Sequence, residues 1–189
     1  MSRLDADKAR LLDLIRRDAF KTGEFTLASG AKSNYYIDGR LLTLSSDGAC
    51  VLAEIILQMI EGEAIDAVGG MTLGADPIIG AVLALAGTRG RKLKGFICRK
   101  ERKEHGTGRL VEGNLASGDR VLMVEDVVTS GGSTLRAIEA VEELGGRVVR
   151  IIAMVDRLAG AAEAFAPRGY KFTPIFTVRD LLESVRSKQ

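Results

Sequence analysis

Between residues 121 and 134 the chain reads Val-Leu-Met-Val-Glu-Asp-Val-Val-Thr-Ser-Gly-Gly-Ser-Thr. The opening apolar run, Val121 to Val124, is what a strand buried on both faces requires. Two carboxylates, Glu125 and Asp126, end it. A turn rich in hydroxyls and glycines follows, and the residues from Leu135 to Leu144 are strongly helical. A buried strand that passes through a tight turn into a helix is the repeating unit of a parallel sheet with helices on both faces.

The rest of the chain alternates in the same way. Helical spacing of Leu11, Leu12, Leu14 and Ile15 predicts an amphipathic helix from about Asp5 to Phe20, and Leu52, Ile55, Ile56 and Met59 predict another from Asp47 to Ile60. A Gly- and Ser-containing stretch, Phe25 to Ser33, separates the first helix from a short strand at Tyr35-Tyr36-Ile37. Further strands are expected at Ala67-Val68, Lys94 to Cys98, Arg120 to Val124, Val148 to Val155 and Thr173 to Thr177. Further helices are expected from Asp76 to about Gly87, Gly132 to Leu144, Ala159 to Phe165 and Arg179 to Val185. No repeat or low-complexity tract interrupts the order. The 189 residues suit a single α/β domain with a full core and are short for two. In such folds ligands bind beyond the carboxyl ends of the strands, which directs attention to what lies there.

Each part of the 121–134 segment has a physical use. A helix N-terminus offers unpaired N–H groups and the positive end of the helix dipole, which suit a phosphate. Gly131 and Gly132 permit positive φ and close approach of the backbone, and Thr129, Ser130, Ser133 and Thr134 add hydroxyl donors. Glu125 and Asp126 would repel a phosphate, so they face something else. Sugar hydroxyls fit, because an ionised carboxylate is purely an acceptor. A phosphate at one end and a sugar diol at the other describe a ribose 5-phosphate. The plainer alternative is an ordinary capped turn, but such turns seldom set two acids at an apolar strand end, where unpaired burial is costly. The G-x-x-x-x-G-K-[ST] spacing of a P-loop and the G-x-G-x-x-G of a dinucleotide turn are absent here.

Composition closes other routes. Apolar residues make up 46% and charged residues 28%, the balance of a soluble globular protein. No apolar run is long enough to cross a bilayer, and the N-terminus lacks the apolar core of a signal peptide, so a cytoplasmic location is expected. A net charge of +2 is too small to argue for nucleic acid. Cys50 and Cys98 each sit in an apolar stretch without a partner at metal-ligand spacing, and both are expected to be reduced core residues. From Arg99 to Arg109 the apolar period stops, with five Arg or Lys against two Glu. A long stretch of this kind inside a compact domain is usually functional, although a solvated charge run has the same composition.

Val121 to Thr134 resembles the phosphoribosyl-pyrophosphate (PRPP) signature of the type I phosphoribosyltransferases. Two further segments resemble the orotate phosphoribosyltransferases within that superfamily. Arg99, Lys100, Lys103, His105 and Gly106 match the R-K-x-x-K-x-H-G of their mobile catalytic loop, here about 99–113. Phe25 to Asp38 matches the F-T-L-x-S-G-x-x-S-x-Y-Y/F stretch of a small N-terminal hood, here about 1–40. Arg157, which follows the strand Val148 to Val155, stands where the family places a base-contacting Arg.

The resemblance implies the type I fold, a mostly parallel central sheet flanked by helices. It implies transfer of phosphoribosyl from PRPP to orotate, with Mg²⁺ carried by the substrate rather than by a protein cluster. It implies a homodimer whose loops complete each other's sites, and no nucleic-acid or membrane partner. Residues carried over for PRPP are Arg99, Lys100, Lys103, His105, Glu125, Asp126, Val127, Val128, Thr129, Ser130, Gly131, Gly132 and Ser133. Those for orotate are Thr129, Arg157, Tyr35 and Tyr36, and those for catalysis are Lys103, His105 and Asp126. The chain departs from the pattern at Ala28 and Leu73, where some members carry Lys. Local alternatives stand beside these roles: an Asp156–Arg157 ion pair, and Tyr35 and Tyr36 on opposite faces of a strand, one packed and one exposed. Two competing functions remain, a purine phosphoribosyltransferase, which would not need Arg157, and a non-catalytic PRPP-binding regulator.

Overall fold

Ser2 starts the first helix by a reciprocal cap. Its hydroxyl accepts from the Asp5 N–H at 3.1 Å, and the Asp5 carboxylate accepts from the Ser2 N–H at 3.0 Å. The computed structural model describes residues 2–26, 30, 32–101 and 110–186. Helix α1 (Arg3–Leu14) passes through a π turn, Ile15–Ala19, into strand β1 (Phe20–Thr26), which pairs antiparallel with β2 (Lys32–Ile37). This hairpin is separate from the main sheet. The helical run thus reaches Ala19, next to the expected end at Phe20, and a strand not anticipated by the sequence follows at once.

The remaining elements are α2 (Arg40–Thr43), α3 (Ser46–Met59), β3 (Ala67–Met71), α4 (Asp76–Thr88), β4 (Lys94–Cys98), β5 (Val111–Gly113), β6 (Arg120–Val128), α5 (Gly132–Glu143), β7 (Arg147–Asp156), α6 (Ala161–Phe165), β8 (Phe172–Thr177) and α7 (Val178–Arg186). The six-stranded sheet has the order β5-β4-β3-β6-β7-β8. All its pairings are parallel except β4 with β5. The short antiparallel β5 gives the charged 99–113 segment a return strand.

The continuous apolar strands are explained by two cores, one on each face. Val68, Leu122, Val124, Ile152 and Met154 pack toward α1, α3 and α4, while Ala67, Val121, Met123, Ile151 and Ala153 pack toward α5 and α6. Alternate residues of each strand thus enter different cores. Gly69 is required in β3 because a Cβ there would lie 2.2 Å from the Phe96 ring. One sequence expectation fails: Cys98 is buried, its thiol pushed up to about 12 by burial, but Cys50 is exposed. Helical period explains this, since Val51, Leu52, Ile55 and Ile56 take the inward face of α3.

The strand order reverses between β3 and β6. From β3 the chain moves outward through β4; from β6 it moves the other way through β7 and β8. Such a switch point opens a crevice at the carboxyl ends. At the opposite end, Arg120 grips Asp66 with two bonds of 2.7 and 2.8 Å, and Lys94 meets Asp119 at 2.6 Å. These pairs lock the amino ends of β3, β4 and β6 and leave the other end for chemistry.

Candidate active site

β6 does not stop at Val124. Glu125 pairs with Ala153 of β7, and Val128 pairs with Asp156. The two acids therefore stand on the extended rim of the sheet, held by the ladder to β7. Glu125 is 8% exposed, and its Oε2 accepts from the Thr134 hydroxyl at 3.4 Å. The Asp126 carboxylate accepts from the Val127 N–H at 2.8 Å. Adjacent strand residues point to opposite faces, yet these two side chains converge on one glycine. A Cβ at Gly74 would lie 2.5 Å from Asp126 Oδ1 and 3.1 Å from Glu125 Oε1, and a Cβ at Gly39 would lie 3.0 Å from Asp126 Oδ2.

Convergence has an electrostatic consequence. Burial, and then the neighbouring Asp126 charge, push the Glu125 carboxyl up to about 8. Both causes favour the protonated form of Glu125 relative to an ordinary carboxyl.

The phosphate loop follows. Thr129 and Ser130 are exposed, and Gly131 takes φ +77°. A Cβ on Gly131 would also lie 2.8 Å from Phe165. α5 then begins at Gly132 and runs for 12 residues, long enough for its first N–H groups to present a dipole end to solvent. Val128 is buried, and its carbonyl accepts from the Arg157 N–H at 3.0 Å. That bond places Arg157 beside the loop.

Arg157 does not form the local ion pair. Asp156, 3% exposed, turns its carboxylate to the Leu158 N–H at 2.8 Å, and Leu158 adopts φ +55°. Arg157 reaches the hairpin instead, where its Nε donates to the Tyr35 hydroxyl at 3.3 Å. Tyr35 and Tyr36 do take opposite faces. Tyr35 packs on Phe20, while Tyr36 is 40% exposed and lies against Phe25. Of the residues expected around the base, Tyr35, Arg157 and the Thr129 loop come together and Tyr36 points away.

Arg99 and Lys100 line a cavity with Thr72, Leu73 and Ile97, next to the β3–α4 loop. The Arg99 guanidinium is held by Glu112 of β5 at 2.9 Å. Lys103, His105 and Ala28 lie outside the described residues. Gly39 and Gly74, whose lack of a Cβ leaves room for the acid pair, were not anticipated in that role. Arg40 was also missed: it pairs with Asp38 at 3.0 Å and feels the Asp126 charge. Only the Asp38-Gly39-Arg40 sequence following the hairpin strand could have hinted at either.

Comparison with known proteins agrees with this geometry. The phosphoribosyl transferase domain family matches residues 48–169. An orotate phosphoribosyltransferase of Rhodopirellula baltica is 48% identical over 180 residues, 92% of this chain and 93% of that one. The chain belongs to the orotate phosphoribosyltransferase family. The solved Mycobacterium tuberculosis orotate phosphoribosyltransferase in complex with Fe(III) dicitrate superimposes with a TM-score of 0.82 at 39% identity, covering 93% of this chain and 98% of that one. The same enzyme solved with PRPP gives a TM-score of 0.78 at 36% identity over the same shares. The central, mostly parallel sheet of this family is thus the one built here, and the protein is a transferase.

Proposed function

We propose that the protein transfers the 5-phosphoribosyl group from PRPP to orotate, giving orotidine 5′-monophosphate and pyrophosphate. The observation that carries this reading is the juxtaposition at the crevice: the Glu125–Asp126 pair and the Gly131 turn open beside a guanidinium, Arg157, at the end of the neighbouring strand. A sugar phosphate needs the first two. Among nucleobases orotate has a carboxylate for the third, and a planar guanidinium pairs well with one.

The N–H groups from Thr129 to Ser133 would hold the 5-phosphate. Asp126 would accept from the ribose hydroxyls and favour the positive charge that grows on the ring as the C1–pyrophosphate bond lengthens. Glu125, whose carboxyl burial and the Asp126 charge push up, would donate to a hydroxyl when protonated and accept from one when ionised. Orotate N1 then bonds to C1 from the face opposite pyrophosphate. Arg99 and Lys100, with Lys103 and His105, would stabilise the departing pyrophosphate, and His105 is the group whose charge responds near neutral pH.

Mg²⁺ fits this site as a substrate-borne ion. Mg²⁺ commonly takes its ligands from phosphates and water, and the convergent Glu125 and Asp126 carboxylates suit a cation brought in on the substrate. Glu125 and Asp126 would lie on its side of the substrate, and it would supply charge neutralisation for the departing pyrophosphate. We further read residues 1–189 as one phosphoribosyltransferase domain, acting in the cytoplasm as a homodimer with shared sites. No helix among the described residues is long and apolar enough to cross a membrane.

The test is to incubate the protein with PRPP, Mg²⁺ and each base in turn. Loss of the ultraviolet absorbance of orotate is the expected result. Turnover of adenine or hypoxanthine with none of orotate overturns the assignment, and binding of PRPP without turnover of any base points to a regulator. Dimer sharing is checked by mixing Lys103→Ala with Asp126→Ala: hybrid dimers should recover part of the activity, and no recovery after confirmed subunit exchange counts against it.

A further inference from the structure

The contact between Arg157 and Tyr35 joins the end of β7 to the antiparallel hairpin across 122 positions of sequence. The guanidinium carbon lies 5.1 Å from the centre of the Tyr35 ring, within the range of a cation–π interaction. Nε donates to the Tyr35 hydroxyl at 3.3 Å. Tyr35 is itself backed by Phe20, with ring centres 5.9 Å apart and planes at 30°, and Phe20 is 5% exposed. Its backbone carbonyl accepts from the Ser33 hydroxyl at 2.7 Å. The chain of contacts runs from the core through Phe20 and Tyr35 to Arg157.

An Arg side chain has several rotatable bonds, and fixing it costs entropy unless neighbours restrain it. The backbone of Arg157 is fixed by Val128, and the Asp156–Leu158 turn sets its direction. Those contacts do not fix the guanidinium. Tyr35 does, and it occupies the Nε edge. The two terminal nitrogens are left as a fork that can face a carboxylate with two parallel hydrogen bonds.

We infer that Tyr35 is a positioning residue that orients Arg157 for its ligand, so that the N-terminal hairpin sets base specificity through Arg157 rather than by covering the base alone. The inference rests on the reading of Arg157 as the residue that takes the orotate carboxylate. It is carried by the Phe20–Tyr35–Arg157 stack.

A double-mutant cycle tests it. Tyr35→Leu should raise KM for orotate about tenfold while KM for PRPP stays within about twofold. Tyr35→Phe, which keeps the ring and loses only the hydroxyl, should recover most of that, leaving a rise of about threefold. In an Arg157→Ala background, neither Tyr35 change should alter KM for orotate by more than about twofold, because the group being oriented is gone. Full additivity in that background would show that Tyr35 acts on the base independently, and overturns the inference. If Tyr35→Leu does not fold, the Tyr35→Phe arm carries the same comparison. A crystal structure of Tyr35→Leu provides a readout free of activity: the Arg157 guanidinium should move from its place here, and an unchanged position sinks the proposal. Failure of the unaltered protein to consume orotate refutes the functional reading instead, and leaves the crystallographic result to judge Tyr35.

Discussion

The phosphate end of the crevice is one stretch of chain, whereas the base end is assembled from residues 122 positions apart. In the first, β6 delivers Glu125 and Asp126, Gly131 turns at φ +77°, and α5 begins at once. These groups are consecutive in sequence, and the segment is packed between two cores. In the second, Arg157 depends on Tyr35 from a hairpin whose two strands form a sheet of their own, apart from the main one. A contiguous site keeps its shape while the fold stands. An assembled site can change its specificity by moving one partner, without touching the phosphate machinery.

Damage to the contiguous end should have the largest effect and should not depend on the base. Asp126→Ala is expected to lower kcat by roughly a thousandfold, the scale of losing a preorganised electrostatic group. The stability cost should be small, since Asp126 is only half-buried and its carboxylate bonds locally to the Val127 N–H. Orotate consumption beside a thermal melt checks both. If turnover falls less than tenfold, the acid pair is not the reacting centre.

Damage to the assembled end should be smaller and selective. Arg157→Ala is expected to reduce kcat/KM for orotate by about a hundredfold, the loss of a charge-assisted bidentate contact, with KM for PRPP little changed. Equal effects on both substrates would break the division between the two ends.

These two ends were unequally legible from sequence, for the same reason that they differ physically. Val121 to Thr134 could be read directly because its strand, acids, turn and helix are consecutive. Even so, the strand was ended too early, since what extends β6 through the acids is pairing of Glu125 with Ala153 and of Val128 with Asp156, which no local pattern displays. β1 was missed because its burial is one-sided and sparse: Phe20 alone is buried in Phe20–Thr26, and the ladder shifts register between Thr22 and Phe25. Without an alternating apolar pattern the segment looks like a loop, and only β2 makes it a strand. Arg157 and Tyr35 are each legible through family likeness, but their contact with one another is not. Gly39 and Gly74 were unreadable as supports of Asp126, because a missing Cβ has meaning only where another chain segment passes within 3 Å.

The turn can also be broken mechanically. Gly131→Ala meets two obstacles, positive φ and a Cβ 2.8 Å from Phe165. A loss of stability of about 2–3 kcal/mol is expected from strain and overpacking together, with weaker PRPP binding because the loop must shift. Urea unfolding and a PRPP titration check this. A variant as stable as the unaltered protein would mean that the loop and α6 yield more easily than their packing suggests.

The smallest effect separates the two acids within the contiguous end. An unfolded Glu titrates near 4.5, whereas burial first and then the Asp126 charge hold folded Glu125 near 8. Between those values the folded state binds the proton more tightly than the unfolded state does. Stability from this group is therefore full below about pH 4.5, falls as pH rises, and is lost above about pH 8. Glu125→Gln keeps the shape and removes the titration, so its stability should decline less between pH 5 and pH 8.5. The gap between the two proteins should be on the order of 1–3 kcal/mol, read from urea midpoints at each pH. Asp66 and Asp38, both held low by arginine partners, titrate well below this window and do not confuse the comparison. Parallel curves for the two proteins would mean that Glu125 is ionised throughout this window.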